Sequence, residues 1–124
     1  MTVAGELILI VEDNEKNMKL FRDVLQAKGY RTLEATTAED GLALAAIHSP
    51  SLVLMDVQLP GIDGIEALHR LRNDDHTAAT PVLALTAQAM HGDRERFLAA
   101  GFDGYLAKPV DVLELLAAVE SRCR

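Results

Sequence analysis

The sequence predicts an α/β fold in which a parallel sheet is covered by helices on both faces, and three observations predict it. Short runs of consecutive aliphatic residues, such as Leu7-Ile8-Leu9-Ile10-Val11 and Leu52-Val53-Leu54-Met55, are apolar on both sides of an extended chain. That is the mark of a strand buried on both faces. These runs alternate with longer stretches whose apolar positions recur every three or four residues, as on one face of a helix. Capping and breaking residues stand at the junctions between the two kinds.

Taken in order, the first strand is Leu7 to Val11, ended by Glu12-Asp13-Asn14. Asn14 caps a helix with Met18, Phe21, Val24 and Leu25 at helical spacing, and Gly29 stops it. Tyr30 to Ala35 form a weaker, edge-like strand. Thr37 with Asp40 opens a helix carrying Leu42, Ala45 and Ala46, and Ser49-Pro50 breaks it. Leu52 to Met55 are the third strand, followed by the loop Leu59-Pro60-Gly61-Ile62-Asp63-Gly64 and a helix with Ile65, Leu68 and Leu71 inward. Pro81 precedes a fourth strand, Val82 to Leu85, and Gly92 to Ala100 make a fourth helix closed by Gly101. Tyr105-Leu106-Ala107 form the last strand. Asp111 with Glu114 gives a capping box for a final helix through Val112, Leu115, Leu116 and Val119. Strand-helix alternation of this kind gives a three-layer sandwich, because right-handed crossovers place helices on both sides of the sheet.

A chain of 124 residues with 49% hydrophobic and 25% charged residues reads as one globular domain over residues 1–124, with no output domain after it. No apolar run approaches the roughly 20 residues of a membrane span, and the N-terminus lacks the basic start of a signal peptide. A single cysteine, Cys123, excludes an internal disulfide and is read as a bystander, so a cytoplasmic setting is expected. The net charge of −7 argues against nucleic-acid binding, which needs clustered Lys and Arg. Aromatics at 4%, with no Trp, leave little for base stacking.

The chemistry gathers where the strands end. Strand one ends in Glu12-Asp13, strand three in Asp56, strand four in Thr86 and strand five in Lys108-Pro109. In a parallel sheet these ends emerge at one edge, where ligands of open α/β sheets bind. Two unit charges ~4 Å apart repel by roughly 4 kcal/mol at an effective dielectric near 20. Clustered carboxylates therefore take up a proton or hold a cation. Hard oxygen ligands suit Mg²⁺, which takes one or two carboxylates, waters and a phosphoryl oxygen. Lys108 adds a mobile point charge suited to a phosphate oxygen. Any one of these acids reads equally well as a solvated loop residue; the set does not.

With these residues in place, the chain resembles the receiver domains of two-component response regulators. The motifs ILIVEDN, LVLMDVQLPGIDG, ALTA and LAKP carry the resemblance at family spacings along essentially the whole chain, which looks most like the stand-alone receivers of the DivK type. The resemblance implies a flavodoxin-like fold with strand order 2-1-3-4-5. It implies that Asp56 accepts a phosphoryl group from a phosphohistidine on a sensor histidine kinase or histidine phosphotransfer protein. Asp13 and Asp56, with the main-chain carbonyl of Gln58, would bind Mg²⁺, with Mn²⁺ as an alternative ion, while Glu12 holds a metal-bound water. Lys108 would pair with Asp56 at rest and with the phosphoryl group afterwards; Thr86 would be the switch hydroxyl and Tyr105 the aromatic that turns inward with it. Such a protein is no enzyme in the ordinary sense, although it takes part in its own phosphorylation and dephosphorylation. Output to a downstream kinase or regulator would pass through the face of the fourth helix, fifth strand and fifth helix. Lys108-Pro109 would be cis, where the sequence alone favours trans.

Other residues read more simply. His48, His69, His76 and His91 lack metal-ligand spacing and are placed on the surface, His91 near enough to the switch to touch a partner. Met55 belongs in the core; Met90 is not placed by its type, and its position after Thr86 leaves exposure for docking open; Arg94, Glu95 and Arg96 form a solvated helix face. Gln58 and Gln88 occupy places where the family tunes the lifetime of the acyl phosphate. Three alternatives compete. A Mg²⁺-dependent phosphohydrolase of similar fold typically keeps a second acid two residues after its aspartate, where this chain has Gln58. A flavin-binding protein needs a phosphate cradle where Glu12-Asp13 stand. A receiver that has lost phosphorylation would not retain the full residue set.

Overall fold

The structure, a computed structural model, describes residues 5–59, 61–62, 64–87 and 93–122. Strands β1 (Leu7–Val11), β2 (Arg31–Ala35), β3 (Leu52–Asp56), β4 (Val82–Thr86) and β5 (Gly104–Ala107) alternate with helices α1 (Glu15–Ala27), α2 (Ala38–His48), α3 (Gly64–Arg72), α4 (Asp93–Ala100) and α5 (Val112–Arg122). The strands pair in parallel in the order β2-β1-β3-β4-β5. The expected (βα)5 sandwich and its 2-1-3-4-5 order are therefore present.

Side chains alternate across the sheet with period two, and the two faces carry separate cores. Leu9, Val11, Val53, Met55, Val82 and Ala84 pack against Ala38 and Ala45 of α2, Ala67, Leu68 and Leu71 of α3, and Phe97 of α4. Ile8, Ile10, Leu52, Leu54, Leu83, Leu85 and Leu106 pack against Met18, Phe21 and Leu25 of α1 and Leu115 and Val119 of α5. All five residues of β3 and of β4 are buried, which is why those segments read as unbroken apolar runs. β2 is half-exposed at the sheet edge, as its mixed composition suggests.

Local signals set the boundaries. Asn14 Oδ1 accepts from Asn17 N at 3.0 Å and Thr37 Oγ1 from Asp40 N at 3.1 Å, starting α1 and α2. Asp111 Oδ1 accepts from Leu113 N at 2.7 Å and Glu114 N at 3.3 Å, starting α5. Several boundaries differ from the sequence reading, among them the start of β5, which includes Gly104. β3 and β4 run one residue further, so Asp56 and Thr86 are themselves strand residues, because each strand keeps a paired neighbour there (Asp56 with Leu85, Thr86 with Ala107). The edge strand starts at Arg31, with Tyr30 buried just before it. Gly64 opens α3 rather than ending a loop; a Cβ there would lie 2.6 Å from Val57 Cα, so only glycine lets the helix start against the end of β3.

At the opposite end of the sheet Arg72 ties two loops together, the one between α3 and β4 and the one between α4 and β5. Its guanidinium donates to Thr80 O at 2.5 Å, Gly101 O at 3.2 Å and Asp103 Oδ2 at 3.0 Å, and Asp103 Oδ2 also accepts from Val82 N at 2.8 Å. No helix among the described residues is long and apolar enough to cross a membrane.

Candidate functional site

Register decides which side chains meet. Val11 pairs with Met55 and Asp56 with Leu85, so the chain beyond β1 and the end of β3 arrive together at the carboxyl edge of the sheet. Period-two alternation then places Glu12, Asp56 and Lys108 on the side of the sheet covered by α1 and α5, continuing Ile10, Leu54 and Leu106. Thr86 and Tyr105 fall on the other side, with Ala84 and with Phe97 of α4.

Glu12 and Asp56 are buried, at 0% and 3% exposure, while Asp13 faces solvent. Lys108 Nζ donates to Asp56 Oδ2 at 2.8 Å and lies 2.7 Å from Glu12 Oε1. The second contact is an ion pair without hydrogen-bond alignment, since among the described residues Glu12 Oε1 has no hydrogen-bond partner despite that distance. Backbone amides hold the remaining oxygens: Gln58 N–H donates to Asp56 Oδ1 at 2.8 Å, and Asn14 N–H to Glu12 Oε2 at 3.1 Å. Nothing in the sequence announces these two donors, because every residue but proline carries an N–H and only the local path of the chain aims it.

Titration follows the same geometry. Burial raises the Glu12 carboxyl above its ordinary value and the nearby Asp56 charge adds to this, against the pull of Lys108. Burial would pull the Lys108 ammonium down, but its hydrogen bond to Asp56 and its close contact with Glu12 outweigh that and raise it. The ammonium is thus firmly charged, yet it is one cation among three acids. Glu12, Asp13 and Asp56 each offer a carboxylate oxygen, and these oxygens all lie within 4.8 Å of one another. Three hard oxygens with negative charge left over after Lys108 fit a small divalent cation such as Mg²⁺.

Thr86 is buried, and its carbonyl accepts from Lys108 N at 2.8 Å, so the backbones of these two residues are held together. Lys108-Pro109 is cis. Tyr105 is half-buried, its ring centroid 6.4 Å from that of Phe97. Leu98, Tyr105, Ala118 and Arg122 line part of a cavity of about 370 Å³ between α4, β5 and α5. Among the other residues singled out, His48, His69 and His76 are exposed, as are Glu95 and Arg96, and Met55 is in the core. Gln88, Met90, His91 and Cys123 lie outside the described residues, and nothing is described of the Arg94 side chain.

Comparison with known proteins shows the family of the chain. Residues 8–120 match the response regulator receiver domain family. The chain is 45% identical over 114 residues to the polar-differentiation response regulator DivK of Brucella anthropi, covering 92% of this chain and 93% of that protein. A putative response regulator from Chloroflexus aurantiacus superposes with a TM-score of 0.90 at 33% identity, covering 96% of this chain and 98% of that one. The receiver domain of the sensor histidine kinase PA1611 from Pseudomonas aeruginosa gives 0.88 at 36% identity, covering 97% and 98%, and that structure has a magnesium ion coordinated in its active-site cleft. These likenesses lend no support to the phosphohydrolase alternative; they point to a regulator, with histidine kinases and other regulators as partners. From the acid cluster at the sheet edge to the sequence and fold likenesses, the findings agree: the chain belongs to the response regulator receiver domain family.

Proposed function

We propose that Asp56 is the phosphoacceptor of this receiver and that the chain signals by phosphorylation-dependent protein contacts. The observation that carries the reading is the setting of Asp56: a buried strand-end carboxylate with one oxygen on the Gln58 N–H, the other on Lys108, and two further acids beside it. Most carboxylates in an apolar strand would be costly; this one has a donor on each oxygen, which holds it in one orientation.

Phosphoryl transfer depends on positioning and charge neutralisation more than on covalent assistance. An Asp56 oxygen attacks the phosphorus of a phosphohistidine; the O–P bond forms as the P–N bond breaks, and the imidazole nitrogen keeps the bonding pair and takes a proton at release. Glu12, Asp13 and Asp56, with the Gln58 carbonyl, would hold Mg²⁺, or Mn²⁺ in its place. The bound ion would supply positive charge to the phosphoryl oxygens. Lys108 is already within reach of Asp56 and moves its charge to the new phosphoryl group. The same residues then serve hydrolysis of the acyl phosphate, which is the sense in which the protein takes part in its own phosphorylation and dephosphorylation.

The acyl phosphate brings nearly two negative charges and new acceptor oxygens. Thr86, at the end of the neighbouring strand, supplies the hydroxyl that moves to meet them, and Tyr105 follows on the same face of the sheet. That face is covered by α4, and the cavity between α4, β5 and α5 opens beside Tyr105, which supports output through this surface. Signalling is then a population shift between two packings of one fold. The phosphoryl donor is a sensor histidine kinase or a histidine phosphotransfer protein, and the receiver of the signal is a downstream kinase or regulator. A stand-alone role accords with the DivK likeness, which spans 93% of that protein.

The test is intact-mass measurement after incubation with Mg²⁺ and acetyl phosphate or a phosphorylated kinase. One phosphate adduct, absent in Asp56→Asn, is the expected result. Sustained turnover of phosphate esters, or no adduct with Asp56 intact, would sink the reading.

A further inference from the structure

Asn14 makes three hydrogen bonds at the start of α1. Its side-chain Oδ1 accepts from Asn17 N at 3.0 Å, its carbonyl accepts from Met18 N at 2.9 Å, and its own N–H donates to Glu12 Oε2 at 3.1 Å. The first two hold it in the extended conformation of a helix cap, with φ −88° and ψ 120°. The third reaches a carboxylate that is wholly buried. A terminal carboxylate torsion is broad and roughly two-fold, so a Glu12 side chain freed of this bond has no strong preference of its own.

We infer that Asn14 is a positioning residue for cation binding: by capping α1 it fixes the direction of its own N–H, which holds Glu12 Oε2 and leaves Oε1 facing Lys108, the partner of Asp56. The division of labour between the two oxygens supports this. Oε2 has an aligned donor, whereas among the described residues Oε1 has the unaligned Lys108 contact and no hydrogen-bond donor, and so retains its lone pairs for a cation or a water upon it. Asn14 is exposed, and its influence travels through its backbone. The amide character of the side chain is incidental; what counts is an acceptor that locks the cap. The inference rests on reading Glu12, Asp13 and Asp56 as the metal site.

The experiment compares Asn14→Gly, Asn14→Ser and Asp13→Ala with wild type, measuring Mg²⁺ affinity by titration calorimetry alongside thermal unfolding. Glycine at a cap destabilises far less than alanine does, so Asn14→Gly folds while lacking the side-chain acceptor. Its Mg²⁺ affinity is expected to fall on the order of tenfold, the low end for residues that orient metal ligands, and Asn14→Ser to restore it. Wild-type affinity in Asn14→Gly, whatever its melting temperature, overturns the inference, because a purely structural cap moves stability alone. Affinity lost equally in Asn14→Ser overturns the capping route. Failure of the underlying metal reading looks different: wild type binds no Mg²⁺, or Asp13→Ala binds it as wild type does, and the inference then falls with it.

Discussion

The ammonium of Lys108 donates a 2.8 Å hydrogen bond to Oδ2 of Asp56, across 52 positions of sequence. A third group, Glu12, lies within 2.7 Å of the same nitrogen, so Lys108 is the resident cation of an acid cluster. The contact that balances Asp56 at rest is therefore also a competitor for whatever cation the cluster binds.

That competition gives the first prediction. Lys108→Ala leaves Glu12 and Asp56 buried without their counter-charge, and should cost about 3 kcal/mol of stability, the low end for breaking a buried pair because Lys108 keeps some solvent contact. The same variant should bind Mg²⁺ at least tenfold more tightly, since a competing unit charge ~4 Å away is worth roughly 4 kcal/mol at an effective dielectric near 20. Urea unfolding without metal and calorimetric titration with it check the two halves. Unchanged or weaker Mg²⁺ binding would refute the competition.

Metal removal gives the second. A ligand that binds only the folded state stabilises by about 2.7 kcal/mol at 100 times its dissociation constant. Mg²⁺ should therefore raise the melting temperature and a chelator should return it to the metal-free value. In Asp13→Ala, which lacks the exposed acid of the cluster, the melting temperature should hardly respond to Mg²⁺.

Gly64 carries the third. A methyl group there would meet Val57 Cα at 2.6 Å, a backbone atom that cannot swing aside. Gly64→Ala should destabilise by about 1–3 kcal/mol, as overpacking does. Because Val57 sits between Asp56 and the Gln58 N–H that holds Asp56 Oδ1, the variant should also form the acyl phosphate more slowly. Denaturant unfolding and the time course of the mass adduct measure both effects.

Arg72 carries the fourth, away from the site. It bonds carbonyls of the α3–β4 and α4–β5 loops and the carboxylate of Asp103 at once. Arg72→Ala should cost about 2–3 kcal/mol, in the range for hydrogen bonds to a charged group left unmade. Arg72→Lys should recover little of it, because an ammonium lacks the planar fork that reaches several acceptors. Magnesium affinity should be unchanged in both, which separates this network from the site.

The unbroken runs LILIV and LVLM, the periodic positions Met18, Phe21 and Leu25, and the caps Asn14 and Thr37 determined the alternation of strands and helices without any coordinates. Local physics writes these features: burial on two faces, helical period, and the backbone groups a helix end leaves unpaired. The residue types at the strand ends likewise determined the candidate set Glu12, Asp13, Asp56, Thr86 and Lys108. What only the tertiary structure decided is how those residues divide. Register and the two-residue alternation put Asp56, Glu12 and Lys108 on one side of the sheet and Thr86 and Tyr105 on the other. Strand pairing at the sheet edge made Asp56 and Thr86 strand residues, a boundary one residue beyond the last apolar side chain. The aim of the Gln58 and Asn14 amides, the start of α3 at Gly64 and the reach of Arg72 to Asp103 also needed the fold. Each depends on where distant backbone lies, and a residue's type carries no record of that.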